Sequence, residues 1–296
     1  MMSIQAFFLR TFLQLRRAYL DEDLSVGKMR ARMKWSNRFV KLPRGVDFKS
    51  IMATEVPTEW IVPRNASSQS VILYIHGGGF TIGWYNIERR LVAYICQAAA
   101  SRSLAVDYRL APEHPFPAAL EDCLTVYHWL LKNGTSPHDI VVAGASAGGN
   151  LTLAMLLSLR DAGDPLPAAA VCISPVTDLA GTGESFLTKQ DPALTTKFVL
   201  TMNRHYAGNH DVRLPLLSPH YGDLHGLPPL LVHVGEDEIL LRDATRLADN
   251  ARAAGVDVSL AVWPGMWHVW HLFAPSLPEA QRAVNEIGTF IRGILY

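Results

Sequence analysis

DIVVAGASAGGN, residues 139–150, decides the reading of this chain. Ile140, Val141, Val142 and Ala143 form a short apolar run, the pattern of a strand buried in a parallel sheet. Gly144-Ala145-Ser146-Ala147-Gly148 follows, and from about Asn150 the text turns helical as LTLAMLLSLRDAG. A serine with a glycine two residues to either side, between a strand and a helix, is a nucleophile-elbow signature. So tight a turn strains the backbone at Ser146, and side chains at 144 and 148 would strike the neighbouring strand and helix. Ser146 is thereby presented at the strand's C-terminal end, beside a helix N-terminus able to bind an anion.

Working outward, strand and helix patterns alternate. Val71–Ile75 (VILYI), a weaker run at 103–106, 168–174, Leu230–Val234 and Val258–Val262 read as strands, with helices near 87–100, 118–132, 150–161, 240–254 and 278–294. Upstream, 46–62 reads as two antiparallel edge strands broken at Pro57 and Pro63, followed by a turn over 65–69. Such alternation predicts an α/β fold: a mostly parallel central sheet with helices on both faces. Residues 180–226 interrupt it; they carry no strand signal, and Lys197–Tyr206 reads as a helix.

A nucleophilic serine needs a base, a group that orients the base, and donors for an oxyanion. His76-Gly77-Gly78-Gly79 directly follows a strand, and such a glycine-rich loop turns backbone N–H groups inward. The N–H groups of Gly78, Gly79 and Ala147 are the expected oxyanion hole, with His76 organising the loop. His268, after the last strand, stands where the base belongs, at the C-terminal edge of the sheet. His271 would face elsewhere. For the acid, the loop after Leu230–Val234 offers Glu236, Asp237 and Glu238 side by side, whereas Asp164 lies at the opposite end of the sheet. Trp84, Tyr85, Phe198, Met202 and Tyr206 are pocket-lining candidates.

Composition sets outer bounds. With 27 basic and 27 acidic residues the formal net charge is zero, which gives no footprint for nucleic acid. The three cysteines, Cys96, Cys123 and Cys172, lie far apart and suit a reduced, cytoplasmic setting. No transmembrane segment is expected, because no apolar run is long enough. At the N-terminus, Ile4, Phe8, Phe12, Leu15 and Tyr19 recur at helical spacing, predicting an amphipathic helix whose apolar stripe packs on the body or touches lipid.

HGGGF, DYRLAPEHPFPAALED, GASAG, SPVTDL and PGMWH, in that order, resemble the bacterial hormone-sensitive lipase family of esterases. The likeness runs from about residue 40 to the end, and the N-terminal helices resemble that family's cap. It implies the α/β-hydrolase fold: cap helices over 1–45, a catalytic domain over 46–296, and a cap contribution from 180–226. It also implies hydrolysis of short- to medium-chain carboxylic esters through an acyl-enzyme, without cofactor or metal, by a small-molecule esterase for which a homodimer is plausible. The family's acid, counted from Pro228-Pro229, falls on Glu238, thirty residues before His268. Here Glu-Ile-Leu-Leu replaces the family's usual Asp-Pro-Leu, so Asp237 stays open as the acid. Asp107, Arg109, Glu113 and Asp178 are expected to brace loops. The same constellation also serves lipases, amidases and lactonases, and a fold of this kind can bind without catalysis.

Overall fold

The computed structural model describes residues 2–18, 25–64 and 66–296. Two helices open the chain, α1 (Ile4–Ala18) and α2 (Val26–Asn37). They are followed by strands β1 (Val46–Ala53), β2 (Val56–Pro63) and β3 (Ser67–Ile75). Helix α3 (Asn86–Ala99) leads to β4 (Ser101–Val106), and α4 (Ala118–Lys132) leads to β5 (Ile140–Ala145). Next come α5 (Ala147–Ala162), β6 (Ala169–Ile173), a short α6 (Ser185–Thr188) and α7 (Thr196–Ala207). The chain closes with β7 (Leu230–Gly235), α8 (Leu241–Ala253), β8 (Val258–Trp263) and α9 (Pro278–Leu295).

The strands form one sheet in the order β1-β2-β4-β3-β5-β6-β7-β8. Pairing is antiparallel at β1/β2 and β2/β4 and parallel from β4 onward. Side chains alternate between two helical layers, as the two-residue strand period requires. Ile72, Tyr74, Val141 and Ala143 join the core beneath α3 and α9, while Val71, Leu73, Ile140 and Val142 join the core beneath α4 and α5. Each such fully buried Val or Leu stabilises the fold by roughly 1.5–3 kcal/mol. This double cover explains why these strands read as continuous apolar runs.

The structure corrects four details. First, β2 is interior, not an edge, since it pairs with both β1 and β4. The chain reverses at Thr54-Glu55, and Pro57 lies within β2 opposite Met52. Proline is tolerated there because the β2/β4 ladder spans only Thr58–Ile61, so no interior partner needs its missing N–H. Second, β3 starts at Ser67, inside the expected turn, through an irregular register between Ser67 and Val71; Asn65 lies outside the described residues. Third, α5 starts at Ala147, directly after the serine.

The fourth concerns α1. Ile4, Phe8, Phe12 and Leu15 do not pack on the body: Phe8 is 68% and Phe12 59% exposed, whereas Ala6 and Leu13 on the opposite side are buried. Small Ala6 lets the helix approach closely, and Ser3 anchors its start by bonding Glu279 through both N–H (2.7 Å) and hydroxyl (2.8 Å). Tyr19 lies outside the described residues. Among those residues, no helix is long and apolar enough to cross a membrane.

Candidate active site

The loops after β3, β5, β6, β7 and β8 leave the sheet at one edge, the C-terminal edge of its parallel strands, where open α/β sheets hold their ligands. Ser146 occupies the β5–α5 turn with φ 55° and ψ −116°. That conformation costs a non-glycine residue about 1–3 kcal/mol and is sustained by its surroundings. A Cβ on Gly144 would collide with the Gly148 carbonyl, and one on Gly148 with the Ile75 carbonyl. The Ser146 N–H is fixed on the Ile173 carbonyl at 2.8 Å.

The β3–α3 loop lies against this turn. Gly77 N–H donates to Glu88 Oε1 (3.3 Å), and Tyr74 Oη donates to Glu88 Oε2 (2.6 Å). Burial raises the Glu88 carboxyl above the ordinary range, opposed by these two donors. Among the described residues, no acceptor engages the N–H groups of Gly78, Gly79 or Ala147, which leaves them available for a bound oxyanion. His76 Nδ1 bonds the Gly77 carbonyl at 2.7 Å, and its ring stacks on Tyr108 at 4.1 Å between centroids. Burial depresses its pKa to about 4, so at neutral pH it is an uncharged loop brace.

His268 Nδ1 lies 3.0 Å from Glu238 Oε2, and both side chains are buried. The other oxygen, Oε1, accepts from Ser174 Oγ (2.6 Å) and from Gly235 N–H (2.7 Å). Asp237 points away from this group and pairs with Arg10 of α1, while Asp164 pairs with His128 on the surface. His271 turns from the pocket toward His233 (3.2 Å), and burial holds both imidazoles well below their usual range.

Sequence reasoning singles out neither of two further groups, although Ser174 opens the SPVTDL stretch. Ser174, at the C-terminal end of β6, donates to Glu238 and accepts the Val269 N–H (3.2 Å). Asp191, in the segment between β6 and α7, accepts the His268 N–H (3.2 Å). Burial pushes its carboxyl up to about 6, against the pull of His268. Asp191, Glu238 and His268 offer donor atoms within 4.8 Å of one another, the spacing of a cation site. His268 Nδ1 and both Glu238 oxygens are already committed to protein hydrogen bonds, so the geometry suits orientation of the imidazole.

A pocket of about 330 Å³ opens on Ser146, His268 and the Gly77–Gly79 loop. Its walls come from Leu13 of α1, Met33 of α2, Tyr85, and Phe198 and Met202 of α7. Two aromatic candidates fall outside it. Trp84 is buried with its indole N–H on Glu59 (2.9 Å), and Tyr206 is buried against Phe80 at 3.8 Å between ring centroids. Three of the four expected loop braces are ion-paired, Arg109 with Asp122 (2.8 Å), Glu113 with Arg30 (2.8 Å) and Asp178 with Arg246 (2.9 Å), whereas Asp107 forms no ion pair among the described residues.

Comparison with known proteins agrees with this geometry. Residues 72–272 match the family model described as the alpha/beta hydrolase fold. An esterase crystal structure described as coming from the bacterial hormone-sensitive lipase family is 42% identical, covers 99% of each chain and superposes with a TM-score of 0.95. The chain belongs to the bacterial hormone-sensitive lipase family of α/β hydrolases. Relatives of this family member include an acetyl-hydrolase of Streptomyces hygroscopicus, 45% identical over 79% of each chain. An esterase of Acinetobacter venetianus is 38% identical over 77% of each chain.

Proposed function

We propose that this family member is a serine carboxylesterase acting on short- to medium-chain esters. The observation that carries the reading is the convergence of Ser146, a Glu238-bound His268 and the Gly78–Gly79 loop on one pocket. Because Nδ1 of His268 is held by Glu238, Nε2 is the nitrogen left to take the Ser146 proton. Ser146 Oγ attacks the ester carbonyl, and the oxygen that gains charge is received by the N–H groups of Gly78, Gly79 and Ala147. The imidazolium then gives its proton to the departing alkoxide, and water, activated by the same imidazole, releases the acid. The relatives named acetyl-hydrolase and esterase support ester chemistry, and the modest pocket supports small acyl groups.

Residues 1–45 and 180–226 serve as the cap in this reading. Support comes from Leu13, Met33, Phe198 and Met202, which wall the pocket from those two segments. The buried free thiols of Cys96, Cys123 and Cys172 favour a cytoplasmic setting. Strand β8, at the open edge of the sheet with Val262 exposed, offers a backbone edge for a two-fold partner, which light scattering would count.

Initial rates on p-nitrophenyl esters from acetyl to palmitoyl, run beside Ser146→Ala, test the function. Rates highest on short chains and lost in the variant are expected. Turnover that survives Ser146→Ala, or activity confined to long chains, would overturn the proposal.

A further inference from the structure

We propose that the N-terminal helical pair docks this protein on an anionic lipid bilayer, with the outward stripe of α1 among the acyl chains and basic side chains of α2 on the headgroups. The first observation is the inverted packing of α1. Its outward face carries Ile4, Phe7, Phe8, Phe12 and Leu15, all more than half exposed, while the inward face is small or shielded. A helix with apolar groups on both sides has been given a second apolar surface to meet. Helix α2 adds Trp35, which meets the nearby Phe39 edge to face at 5.0 Å; both are exposed. Paired aromatics with a polar rim suit the membrane interface.

Charge supplies the second, independent observation. Residues 1–45 hold ten basic side chains and three acidic ones, a formal +7, whereas the remainder of the chain carries a formal −7. All three acids lie at 21–23, so the described part of this segment contains no carboxylate side chain. Arg10 and Arg30 are spent on Asp237 and Glu113, but Lys28, Arg32, Lys34, Arg38 and Lys41 are exposed. Segregation of charge in a chain of zero net charge gives this one region attraction to anionic headgroups. It also disfavours the other obvious occupant, a second copy, because stripe-to-stripe pairing would bring +7 against +7.

Position supplies the third. The inward faces of the same two helices contribute Leu13 and Met33 to the pocket. Docking through α1 and α2 would therefore hold the pocket close to the lipid, where sparingly soluble esters concentrate. What the docked pocket would hydrolyse rests on the esterase reading; the docking itself does not.

The experiment is vesicle co-sedimentation of the full chain carrying Ser146→Ala, so that lipid turnover plays no part. Binding is expected to phosphatidylcholine vesicles containing phosphatidylglycerol, to weaken as salt rises, and to be slight on phosphatidylcholine alone. Adding Phe8→Ser and Phe12→Ser should lower the affinity by about tenfold or more, and so should Arg32→Glu with Lys34→Glu. In the Ser146 background both pairs should leave turnover of dissolved p-nitrophenyl acetate unchanged, which establishes that the variants fold. No binding to anionic vesicles, or binding insensitive to both pairs, would overturn the proposal. So would light scattering showing a dimer that Phe8→Ser with Phe12→Ser breaks, which would give the stripe to a second copy.

Discussion

Ser174 Oγ donates to Glu238 Oε1 at 2.6 Å and itself accepts the Val269 N–H at 3.2 Å. One hydroxyl just after β6 thus ties the loop carrying Glu238 to the loop carrying His268. Ser174→Ala would leave the Val269 N–H buried without its partner and Glu238 Oε1 with the Gly235 N–H alone. A stability loss of about 1–3 kcal/mol is expected. Activity should fall between about tenfold and a hundredfold in kcat, since small misplacement of a reacting group is costly. KM should barely move, because Ser174 is not part of the pocket wall. Urea unfolding and steady-state kinetics check both; an unchanged kcat would refute the positioning role.

Glu238 and Asp237 are adjacent in sequence but meet different partners, His268 and Arg10. Glu238→Gln keeps the volume but presents an amide where the imidazole needs a carboxylate, so kcat should drop on the order of 10³–10⁴-fold. Asp237→Asn loses only a partly exposed pair with Arg10, worth under about 1 kcal/mol, and should keep activity within about twofold. Kinetics on p-nitrophenyl butyrate separate the two, and equal losses would mean the assignment of the acid is wrong.

Gly79 has φ +59°, and a Cβ there would lie 2.9 Å from both Cβ and Cγ of Met202. Gly79→Ala should displace its N–H from the oxyanion position and lower kcat about 10²–10³-fold. Adding Met202→Ala removes the Cγ contact but leaves the Cβ contact and the backbone strain, so only partial recovery is expected. Full recovery would show that the N–H of residue 79 is not used.

Asp243 is fully buried, and burial pushes its carboxyl up to about 7, although the N–H groups of Thr177 and Asp178 donate to Oδ2 at 2.8 and 3.0 Å. The folded state therefore holds a proton that the unfolded chain releases near pH 4. Between about pH 4 and pH 7 this group makes stability fall as pH rises, by up to roughly 1.4 kcal/mol per unit. Asp243→Asn keeps an oxygen for both donors and removes the ionisation. The variant should gain stability relative to the parent as urea titrations move from pH 4.5 to pH 8, and parallel pH profiles would contradict this.

Much of the site was legible because it depends on local rules. The glycines around Ser146 are demanded by atoms within one turn, and a loop after a parallel strand reaches the functional edge whatever its neighbours. Glu238 was separable from Asp237 only through spacing shared with a family. Asp191 carries no signal because its partner lies 77 residues away and no period or motif records such pairing; Ser174 opens SPVTDL, but that stretch does not tell that its hydroxyl meets Glu238, 64 residues on.

The sequence by itself determined the α/β alternation, the order of the strands along the chain, and the positions of serine, glycine loop and histidine. These follow from apolar periodicity and turn chemistry, which act over a few residues. Tertiary structure alone decided that Asp237 turns to Arg10, that β2 is interior, and that Trp84 and Tyr206 belong to the core. It also decided which side of α1 faces inward. Periodicity finds an apolar stripe, but only the shape of the body shows whether that stripe or the small side containing Ala6 fits against it, because close packing selects by volume as well as by polarity.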